Sequence, residues 1–333
     1  MKIRRTENGL LIKNGNKSVL LDPGRNTKSP ENPDVILVSH VHTDHTLGLP
    51  QFSHEETPVV LSEPTYCLLQ AKGIQIRNPI CVKPGESVDI GELHIETLRS
   101  GHMLGSVQFV LSSPFLKKKI AYTGDLAYED SVLLKRAEIP EADILLLDCT
   151  YGNPHYIFPK RRNLYPKIKA KIRGMIADKS DSKIFLHGYP LGKAQELTKI
   201  VREVFKETPG VSKRIGKYNS LLEKASNVKL SCYAMDEKQR FQIRGMRDKQ
   251  EQGHHVFFTG WALRRSYSGV AFPLSAHSDF LELLEFVGEV NPEVVFTLFT
   301  FKRQFSEILR RELGVTSSPI PQNSQESRLI DFL

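Results

Sequence analysis

Short apolar runs separated by turns set the pattern of the first half of the chain. Leu10–Ile12 and Val19–Leu21 stand on either side of a polar turn and predict a β-hairpin. Glu63–Lys72 has the periodicity of a helix. Further apolar runs predict strands at Val35–Val38, Pro58–Leu61, Glu92–Leu98, Val107–Leu111, Ile120–Thr123 and Ile144–Leu147. Strands and helices mixed in this order predict an α/β layered fold, with two sheets and helices outside them.

The pattern changes after about residue 158. Residues 163–178 and 193–207 have helical periodicity, and Lys183–Leu186 between them predicts a strand. Near Leu274 the chain is expected to return to the first unit, with a helix over Leu281–Val290 and a strand over Val294–Leu298. We therefore divide the 333 residues into a first part (1–157), an inserted unit (158–262) and a return segment (263–333).

Charge follows the same division. Residues 158–262 carry 23 lysines and arginines against 10 aspartates and glutamates, so their net charge of +13 leaves −5 of the total +8 for the rest. A basic insert on an acidic body is typical of a protein that holds a polyanion against one lobe. A lysine-rich solvated surface explains the same numbers, and charge alone leaves that alternative open.

Nothing in the sequence resembles a targeting or membrane segment. The N-terminal stretch 1–17 lacks the apolar core of a signal peptide, and no run approaches the ~20 apolar residues of a membrane span. The four cysteines lie far apart, without C-x-x-C spacing, as in reduced intracellular proteins. We expect a cytoplasmic protein that does not enter membranes; its oligomeric state is left open.

The segment Ser39–His45 places three histidines and an aspartate directly after a strand. Neutral imidazole and carboxylate are ligands for zinc and similar divalent ions, and catalytic sites of this kind keep a position open for water. The alternative is a polar loop that happens to be rich in histidine. The H-x-H-x-D-H spacing after an apolar strand favours the metal site.

Two further strand ends offer ligands. His102 follows the strand Glu92–Leu98 between glycines that let the backbone turn the imidazole inward. Asp125 follows Ile120–Thr123 and offers a carboxylate that could bridge two ions. Each motif alone is weak, because a surface histidine or a turn aspartate is common.

In their order along the chain, these motifs resemble the successive metal-binding motifs of the metallo-β-lactamase superfamily. The resemblance implies an αββα sandwich. It also implies one metal site formed by His40, His42, His102 and Asp125, and part of a second formed by Asp44, His45 and Asp125.

A narrower resemblance, to the β-CASP nucleases, rests on four segments: Leu147–Pro159, Gly188–Glu196, Thr259–Trp261 and Ser275–Asp279. It implies that the basic insert is an α/β β-CASP cap domain and that nucleic acid is the partner. The run to Tyr156–Pro159 is similar to the Artemis and cross-link-repair DNA nucleases. Ala194–Glu196 and the Ser275-Ala276-His277 motif are closer to the RNA branch.

An absent histidine separates the branches further. RNA-processing members of the family usually have a histidine after the last strand, whereas here Val294–Leu298 runs into Phe299 and Thr300, and no histidine follows His277. The resemblance therefore implies one firmly bound zinc ion and a weaker second site, which could also take magnesium or manganese.

The resemblance also assigns catalytic roles. Asp44 is expected to accept a hydrogen bond from the attacking water, and Asp148 with His277 to protonate the leaving oxygen. Without the resemblance, His277 would be interpreted as a residue at the start of a helix that Ser278 or Asp279 caps.

Phosphate contacts are the least specific prediction. Lys193 stands at the start of a predicted helix, where the N-terminus attracts anions. A solvated lysine is the alternative there, and a solvated helix face is the alternative for the basic cluster that follows residue 159. Tyr189 and Trp261 could stack on bases, but core packing is the more ordinary role. The phosphate-binding candidates are Lys193, Ser275, Lys160, Arg161 and Arg162.

The sequence thus predicts a zinc-dependent nuclease that hydrolyses DNA phosphodiester bonds, as a 5′-to-3′ exonuclease or a structure-selective nuclease in DNA repair. The alternative is a β-CASP ribonuclease of RNA processing. A catalytically silent nucleic-acid-binding subunit is disfavoured, because the metal-ligand motifs are intact.

Overall fold

The computed structural model describes residues 1–27, 32–52, 56–178, 182–236, 238–249 and 251–320. Three six- or seven-stranded sheets organise these residues. Every strand predicted from the sequence is present, with bounds that differ by one or two residues.

The first sheet uses the N-terminal strands in chain order. Its first three strands run antiparallel, and the pairs from the third strand onward are parallel. The strands are β1 (Lys2–Arg5), β2 (Leu10–Asn14), β3 (Lys17–Leu21), β4 (Val35–Leu37), β5 (Val59–Ser62) and β6 (Pro79–Val82). Two helices connect them, α1 (Thr43–Thr46) and α2 (Glu63–Ala71), with a 3₁₀ turn at Leu49–Phe52. Ser62 caps α2 by accepting from the Thr65 amide, which ends β5 and starts the helix at once.

The second sheet follows directly. Its strands are β7 (Ser87–Ile90), β8 (Leu93–Arg99), β9 (Val107–Ser112), β10 (Ile120–Tyr122) and β11 (Ile144–Asp148). The first four pair antiparallel, and β11 adds parallel to β10. Alternate residues of β8 are buried, since only one face of this strand meets the core.

A third sheet belongs to the inserted unit, and all of its strands run parallel in the order β14-β13-β15-β12-β16-β17. They are β12 (Ile184–His187), β13 (Gly210–Val211), β14 (Tyr233–Ala234), β15 (Phe241–Arg244), β16 (His254–Phe258) and β17 (Val270–Phe272). The helices of this unit are α3 (Arg161–Asp178), α4 (Lys193–Ile200) and α5 (Lys213–Ser226), with a π-helical turn at Val201–Phe205 and a 3₁₀ turn at Gly260–Leu263. Because β17 pairs with β16, this sheet extends past residue 262, the predicted end of the inserted unit. The division of the chain into domains at residues 157/158 and 262/263 remains a prediction.

The chain then completes the second sheet. Helix α6 (Phe280–Val290) leads to β18 (Val294–Leu298), which pairs parallel to β11, and α7 (Lys302–Glu312) leads to β19 (Thr316–Pro319). The inner faces of the first two sheets share one apolar core. Helices α2 and α5 cover the outer face of the first sheet, and α6 and α7 cover that of the second. This is the αββα sandwich that the sequence predicted.

The parallel strands explain where function concentrates. β3, β4, β10, β11 and β18 all end at the same edge of the sandwich, so the loops that leave them meet there. Two glycines allow these loops to approach each other. A Cβ on Gly24 would lie 1.7 Å from the Asp44 carbonyl oxygen, and a Cβ on Gly124, at φ +53°, would lie 2.6 Å from the Ser39 side chain.

Candidate metal centre

Four predicted metal ligands meet at this edge of the two stacked sheets. His40 and His42 follow β4, His102 follows β8, and Asp125 follows β10. Their donor atoms all lie within 4.8 Å of one another. A cavity of about 410 Å³ opens over His42, His102 and Asp125.

The spacing of the four donor atoms fits a tetrahedral divalent ion. His40 Nε2 lies 3.0 Å from His42 Nδ1, which lies 3.2 Å from His102 Nε2. Asp125 Oδ2 lies 3.3 Å from His40 Nε2 and 3.4 Å from His102 Nε2. A tetrahedron with edges of this length has its corners about 1.8–2.1 Å from the centre, close to the ~2.0–2.2 Å of zinc–nitrogen and zinc–oxygen bonds.

The outward hydrogen bonds of the imidazoles fix their tautomers. His102 Nδ1 lies 2.8 Å from the Ala276 carbonyl and His42 Nε2 lies 3.3 Å from the Leu191 carbonyl, so both nitrogens must donate. His40 Nδ1 donates over 3.0 Å to Ser39 Oγ, whose own proton goes to Asp22. The remaining nitrogen of each ring therefore presents a lone pair to the same point. Converging lone pairs repel unless a cation lies between them, and second-sphere acceptors of this kind are usual behind metal-ligating histidines.

The protonation states agree with this arrangement. Desolvation by burial, together with the charge of His40, lowers the pKa of His42 to about 3. Burial and the neighbouring His277 hold the pKa of His102 well below its ordinary value. Burial would raise the pKa of Asp125, but His45 and the other imidazoles hold it well below its ordinary value. Neutral imidazoles and an ionised carboxylate are the forms that bind metal.

A second group of donors lies on the other side of Asp125. His45 Nε2 lies 3.3 Å from Asp125 Oδ1 and 3.8 Å from Asp44 Oδ2, and this buried nitrogen makes no hydrogen bond among the described residues. Asp44 itself is 77% exposed in its side chain. Asp44 belongs to none of the groups of converging donor atoms among the described residues, so the site predicted from Asp44, His45 and Asp125 remains a prediction.

Phe299 lies beside His45, and no histidine follows His277 in the sequence. It follows β18, and its ring centroid lies 5.4 Å from that of His45. Its φ of +67° lies in the left-handed region, which is uncommon for an aromatic residue. A phenyl ring supplies no ligand, so this side of the centre offers fewer donors than the His40 side.

Asp22 is a residue of the centre that the sequence analysis missed. Its buried carboxylate accepts from His45 Nδ1 at 2.6 Å, from the Ser39 amide and hydroxyl, and from the Tyr122 hydroxyl at 2.6 Å. Burial would raise the pKa of Asp22, but the charge and hydrogen bond of His45 lower it. The available signal was its position at the end of β3, which runs parallel to β4 and ends at the same edge.

Asp148 and His277 form the predicted carboxylate–imidazole pair, which lies beside His102. His277 Nδ1 lies 3.0 Å from Asp148 Oδ2, and the other carboxylate oxygen accepts from the amide and hydroxyl of Thr150. His277 Nε2 lies 3.8 Å from Asp125 Oδ2, so the ring faces the donor quartet. Burial lowers the pKa of His277, but Asp125 and the hydrogen bond and charge of Asp148 outweigh it and raise the pKa.

A helix cap is also present in this region, but Asp279 forms it and not His277. Asp279 caps α6 by accepting from the Glu282 amide at 2.8 Å, and the Glu282 side chain accepts from the Asp279 amide. The cap therefore does not use His277, whose side chain stays available to Asp148.

Two of the phosphate-binding candidates line the metal cavity, and neither has a free polar group there. Lys193 is 3% exposed and its Nζ donates to Glu196, one turn further along α4. The Ser275 hydroxyl accepts from the His277 amide at 2.9 Å and donates to the His277 carbonyl at 3.0 Å. Their contact with phosphate remains a prediction.

The other three candidates are outside the lining of that cavity. Lys160 pairs with Glu282 at 2.9 Å, and the buried Arg161 donates to the carbonyls of Glu129 and Ser275. Arg162 is exposed and, with Lys160 and Arg161, lines a separate cavity of about 460 Å³. The structure does not bring these three residues to the metal ligands.

With the fold and donor set in place, the family can be stated. A model of the family described as "Beta-lactamase superfamily domain" matches residues 10–176, which include every residue of the donor quartet. The chain belongs to this metallo-β-lactamase superfamily, and its fold and its histidine–aspartate clusters indicate a divalent metal site. The identity of the ion is a separate question.

Three proteins with curated names are similar in sequence to this chain. A protein of Opitutus terrae named "Probable DNA ligase" is 27% identical over 85% of this chain and 30% of its own length. The "RNase J-like protein" of Methanocaldococcus jannaschii is 28% identical over 55% of this chain and 48% of its own. "RNase aCSPSF2" of Saccharolobus solfataricus is 26% identical over 58% of this chain and 45% of its own. The chain spans less than half the length of these relatives, and they include members of the β-CASP family.

The whole fold recurs in a solved structure. The crystal structure of a protein of unknown function from Enterococcus faecalis V583 superposes with a TM-score of 0.66 over 97% of this chain and 99% of that one, at 13% sequence identity. At this identity the likeness concerns the fold alone. Among the helices of the described residues, none is both long and apolar enough to span a membrane.

Proposed function

We propose that the protein is a metal-dependent nuclease that hydrolyses phosphodiester bonds of DNA in the cytoplasm. The observation that carries the proposal is the convergence of His40, His42, His102 and Asp125, each imidazole with its outward nitrogen bound to an acceptor, beside the Asp148–His277 pair. Names of the relatives, which include two RNases, support a nucleic acid as the substrate.

A divalent ion bound by the quartet would supply a nucleophile at neutral pH by lowering the pKa of a water molecule, and it would offset charge on the phosphate oxygens. Zinc is the ion we propose, because three imidazoles and a carboxylate are the ligands it prefers. The second site, with His45, Asp44 and Asp125 but no ligand from Phe299, would bind more weakly and could take magnesium or manganese.

The residues of the chain would position and move protons. Asp44 is exposed towards the cavity and can accept a hydrogen bond from the attacking water. Asp148 holds the His277 ring through Nδ1, which leaves Nε2 facing the quartet. In its protonated form, the ring held in this way can donate its Nε2 proton to the leaving oxygen.

The inserted unit would supply the other wall of the nucleic-acid cleft. We propose that residues 158–262 form the β-CASP cap, and that the return segment adds β17 to the edge of its sheet. Lys193, Ser275, Lys160, Arg161 and Arg162 remain candidates for phosphate contact, of which only the exposed Arg162 and Lys160 are reached without rearrangement.

DNA is favoured over RNA by two observations. The relative that matches the largest share of this chain among those above is named a probable DNA ligase. The chain also lacks the histidine that ribonucleases of the family usually have after the last strand. We accordingly propose a 5′-to-3′ exonuclease or a structure-selective nuclease of DNA repair. The two relatives named RNases support the alternative, a β-CASP ribonuclease in RNA processing. A silent binding subunit is disfavoured by the complete donor set.

The test is a cleavage assay with end-labelled single-stranded DNA and RNA of identical sequence, each with 5′-phosphate and 5′-hydroxyl ends. We expect the DNA to be shortened from its 5′ end, and Asp44→Ala to lose this activity. Asp89→Ala, which removes an exposed carboxylate from β7, is the matched control and should cleave like the wild type. A preference for RNA would refute the choice of DNA, and full activity of Asp44→Ala would refute its role.

A further inference from the structure

A row of aromatic rings leads away from the Asp148–His277 pair into the wall of the metal cavity. The Tyr151 ring lies 5.9 Å from the His277 ring and 4.8 Å from the Trp261 ring. The Arg265 guanidinium carbon lies 4.7 Å from the centroid of the Trp261 ring. Tyr189 lines the same cavity.

The outer members of this row are open to solvent. Tyr189, in the loop between β12 and α4, is 49% exposed, although tyrosine is a residue that core packing would bury. Arg264 and Arg265 are exposed as well, and no described carboxylate lies within ion-pair distance of either guanidinium. The cationic charge beside Trp261 is therefore not neutralised by a described carboxylate, in contrast to the charges of Lys193 and Arg161.

Trp261 differs from a tryptophan buried in a core. Tyr151 and Tyr156 pack against it at 4.8 and 5.4 Å, which fixes the position of the indole. The guanidinium of Arg265, which is exposed to solvent, lies over the indole ring, and Trp261 itself is only partly buried. A guanidinium stacked on an indole can itself stack on a further planar group or move aside for one.

We propose that Tyr189, Trp261 and Arg265, here called the aromatic wall, bind the bases of single-stranded nucleic acid next to the cleaved phosphodiester. The proposal rests on the nuclease function above and adds the part of the substrate that this wall contacts. Aromatic faces accept any base, because every base has a π-face, and guanidinium planes stack on bases and also attract phosphate.

Two properties of the substrate follow. Stacking requires an unpaired base, so the wall selects single-stranded ends or flaps over intact duplex. Stacking is also indifferent to the sugar, so the wall does not distinguish DNA from RNA; it distinguishes a strand with bases from an abasic one.

The chain contains one tryptophan, so its fluorescence reports on this wall alone. The full-length protein is titrated with phosphorothioate-linked single-stranded DNA, with RNA of the same sequence and with an abasic DNA strand of equal length. We expect quenching of Trp261 emission by both base-containing strands and little by the abasic strand, with roughly 5- to 100-fold weaker binding of the abasic strand. Equal affinities without quenching would refute the wall.

Variants locate the contact without removing the reporter. Arg265→Ala and Tyr189→Ala should each weaken binding of base-containing strands, measured by anisotropy of a labelled strand, by several-fold or more, and should leave binding of the abasic strand much less affected. Arg311→Ala removes the same charge from an exposed position on α7 and should bind like the wild type. Both test residues are exposed, so loss of folding is not expected to obscure the result.

The outcomes separate this proposal from the proposed function. Cleavage of DNA without Trp261 quenching, and with unchanged binding by Arg265→Ala, would refute the aromatic wall and leave the nuclease in place. Quenching by base-containing strands without cleavage of any strand would support the wall and refute the nuclease. Absence of binding by every strand would refute both.

Discussion

The two walls of the metal cavity use charged and polar side chains in opposite ways. On the wall built by the stacked sheets, His40, His42 and His102 direct one nitrogen lone pair into the site. Their other ring nitrogens donate hydrogen bonds to acceptors behind them. On the wall built by the inserted unit, Lys193 pairs with the buried Glu196, which also pairs with Arg161 behind the wall. Net charge therefore does not indicate which cations are available to a ligand; burial and pairing decide it.

The largest effect is expected at the residue that both metal groups share. Asp125→Ala removes the carboxylate that lies 3.3–3.4 Å from His40 and His102 and 3.3 Å from His45. We expect nuclease activity to fall at least about 10⁴-fold, since several kcal/mol of transition-state stabilisation depend on the ion. Asp89→Ala, which changes the same group on the surface, should retain activity; comparable losses in both variants would contradict the shared-ligand role.

Asp148→Asn tests the general acid on the same wall. We expect kcat to fall by roughly 10²- to 10⁴-fold. Burial lowers the pKa of His277, while Asp125 and Asp148 raise it, so removal of the Asp148 charge lowers that pKa. The protonated ring is lost as pH rises through its pKa, so the alkaline limb of the kcat profile should move to lower pH. An unmoved limb would exclude His277 as the acid.

On the opposite wall, Lys193→Met should affect stability rather than chemistry. The change leaves the Glu196 carboxylate buried without its main partner, which costs about 3–5 kcal/mol in the free energy of unfolding. The double variant Lys193→Met/Glu196→Gln, which removes the unpaired charge but keeps an acceptor for the Tyr165 hydroxyl, should recover part of the loss in urea unfolding. Lys199→Met, which breaks an exposed pair with Glu203 in the same helical segment, should cost at most about 1 kcal/mol. A Lys193→Met protein as stable as Lys199→Met, with weakened binding of nucleic acid, would favour phosphate contact instead.

A smaller effect is expected behind the metal ligands. Asp22→Asn weakens the acceptor that orients His45 and, through Ser39, His40. We expect a loss of roughly 10- to 100-fold in metal affinity, the usual size for such second-sphere changes. Tyr122→Phe removes only one of the donors to Asp22 and should lose less. Competition with a chelating dye measures both, and equal losses would show that Asp22 acts through packing.

The smallest expected effect is an increase in the metal content of the protein. Phe299→His offers a ligand beside His45, and histidine tolerates the left-handed backbone of this position better than phenylalanine. We expect the metal content to rise towards two ions per chain by inductively coupled plasma mass spectrometry, with Phe301→His as the control. Unchanged content would mean that the Asp44 side of the centre does not bind an ion.

The sequence was most informative where chemistry and chain order coincide. His40, His42, His102 and Asp125 each follow a predicted strand, and the order of these motifs carried the family resemblance that predicted their meeting. Asp22 also follows a predicted strand, Val19–Leu21, but it is a single carboxylate without a neighbouring histidine. The Asp148–His277 pair, separated by 129 positions, could be predicted only through the family resemblance.

Pairing within the inserted unit was harder to predict. Lys193 and Glu196 stand one helical turn apart, a spacing that indicates an ion pair, but their burial depends on how α4 packs against Tyr165 of α3. The exposure of Tyr189 and the stacking of Arg265 on Trp261 depend equally on tertiary packing. Local sequence does not contain this information.

The central claim is that His40, His42, His102 and Asp125 hold a divalent ion. The most direct measurement is the metal content per chain of the purified protein, beside His102→Asn and the control His94→Asn, which alters an exposed histidine of β8. We predict at least one divalent ion per chain in the wild type and in His94→Asn, and clearly less in His102→Asn. A His102→Asn protein that retains the metal content of the wild type would contradict the account.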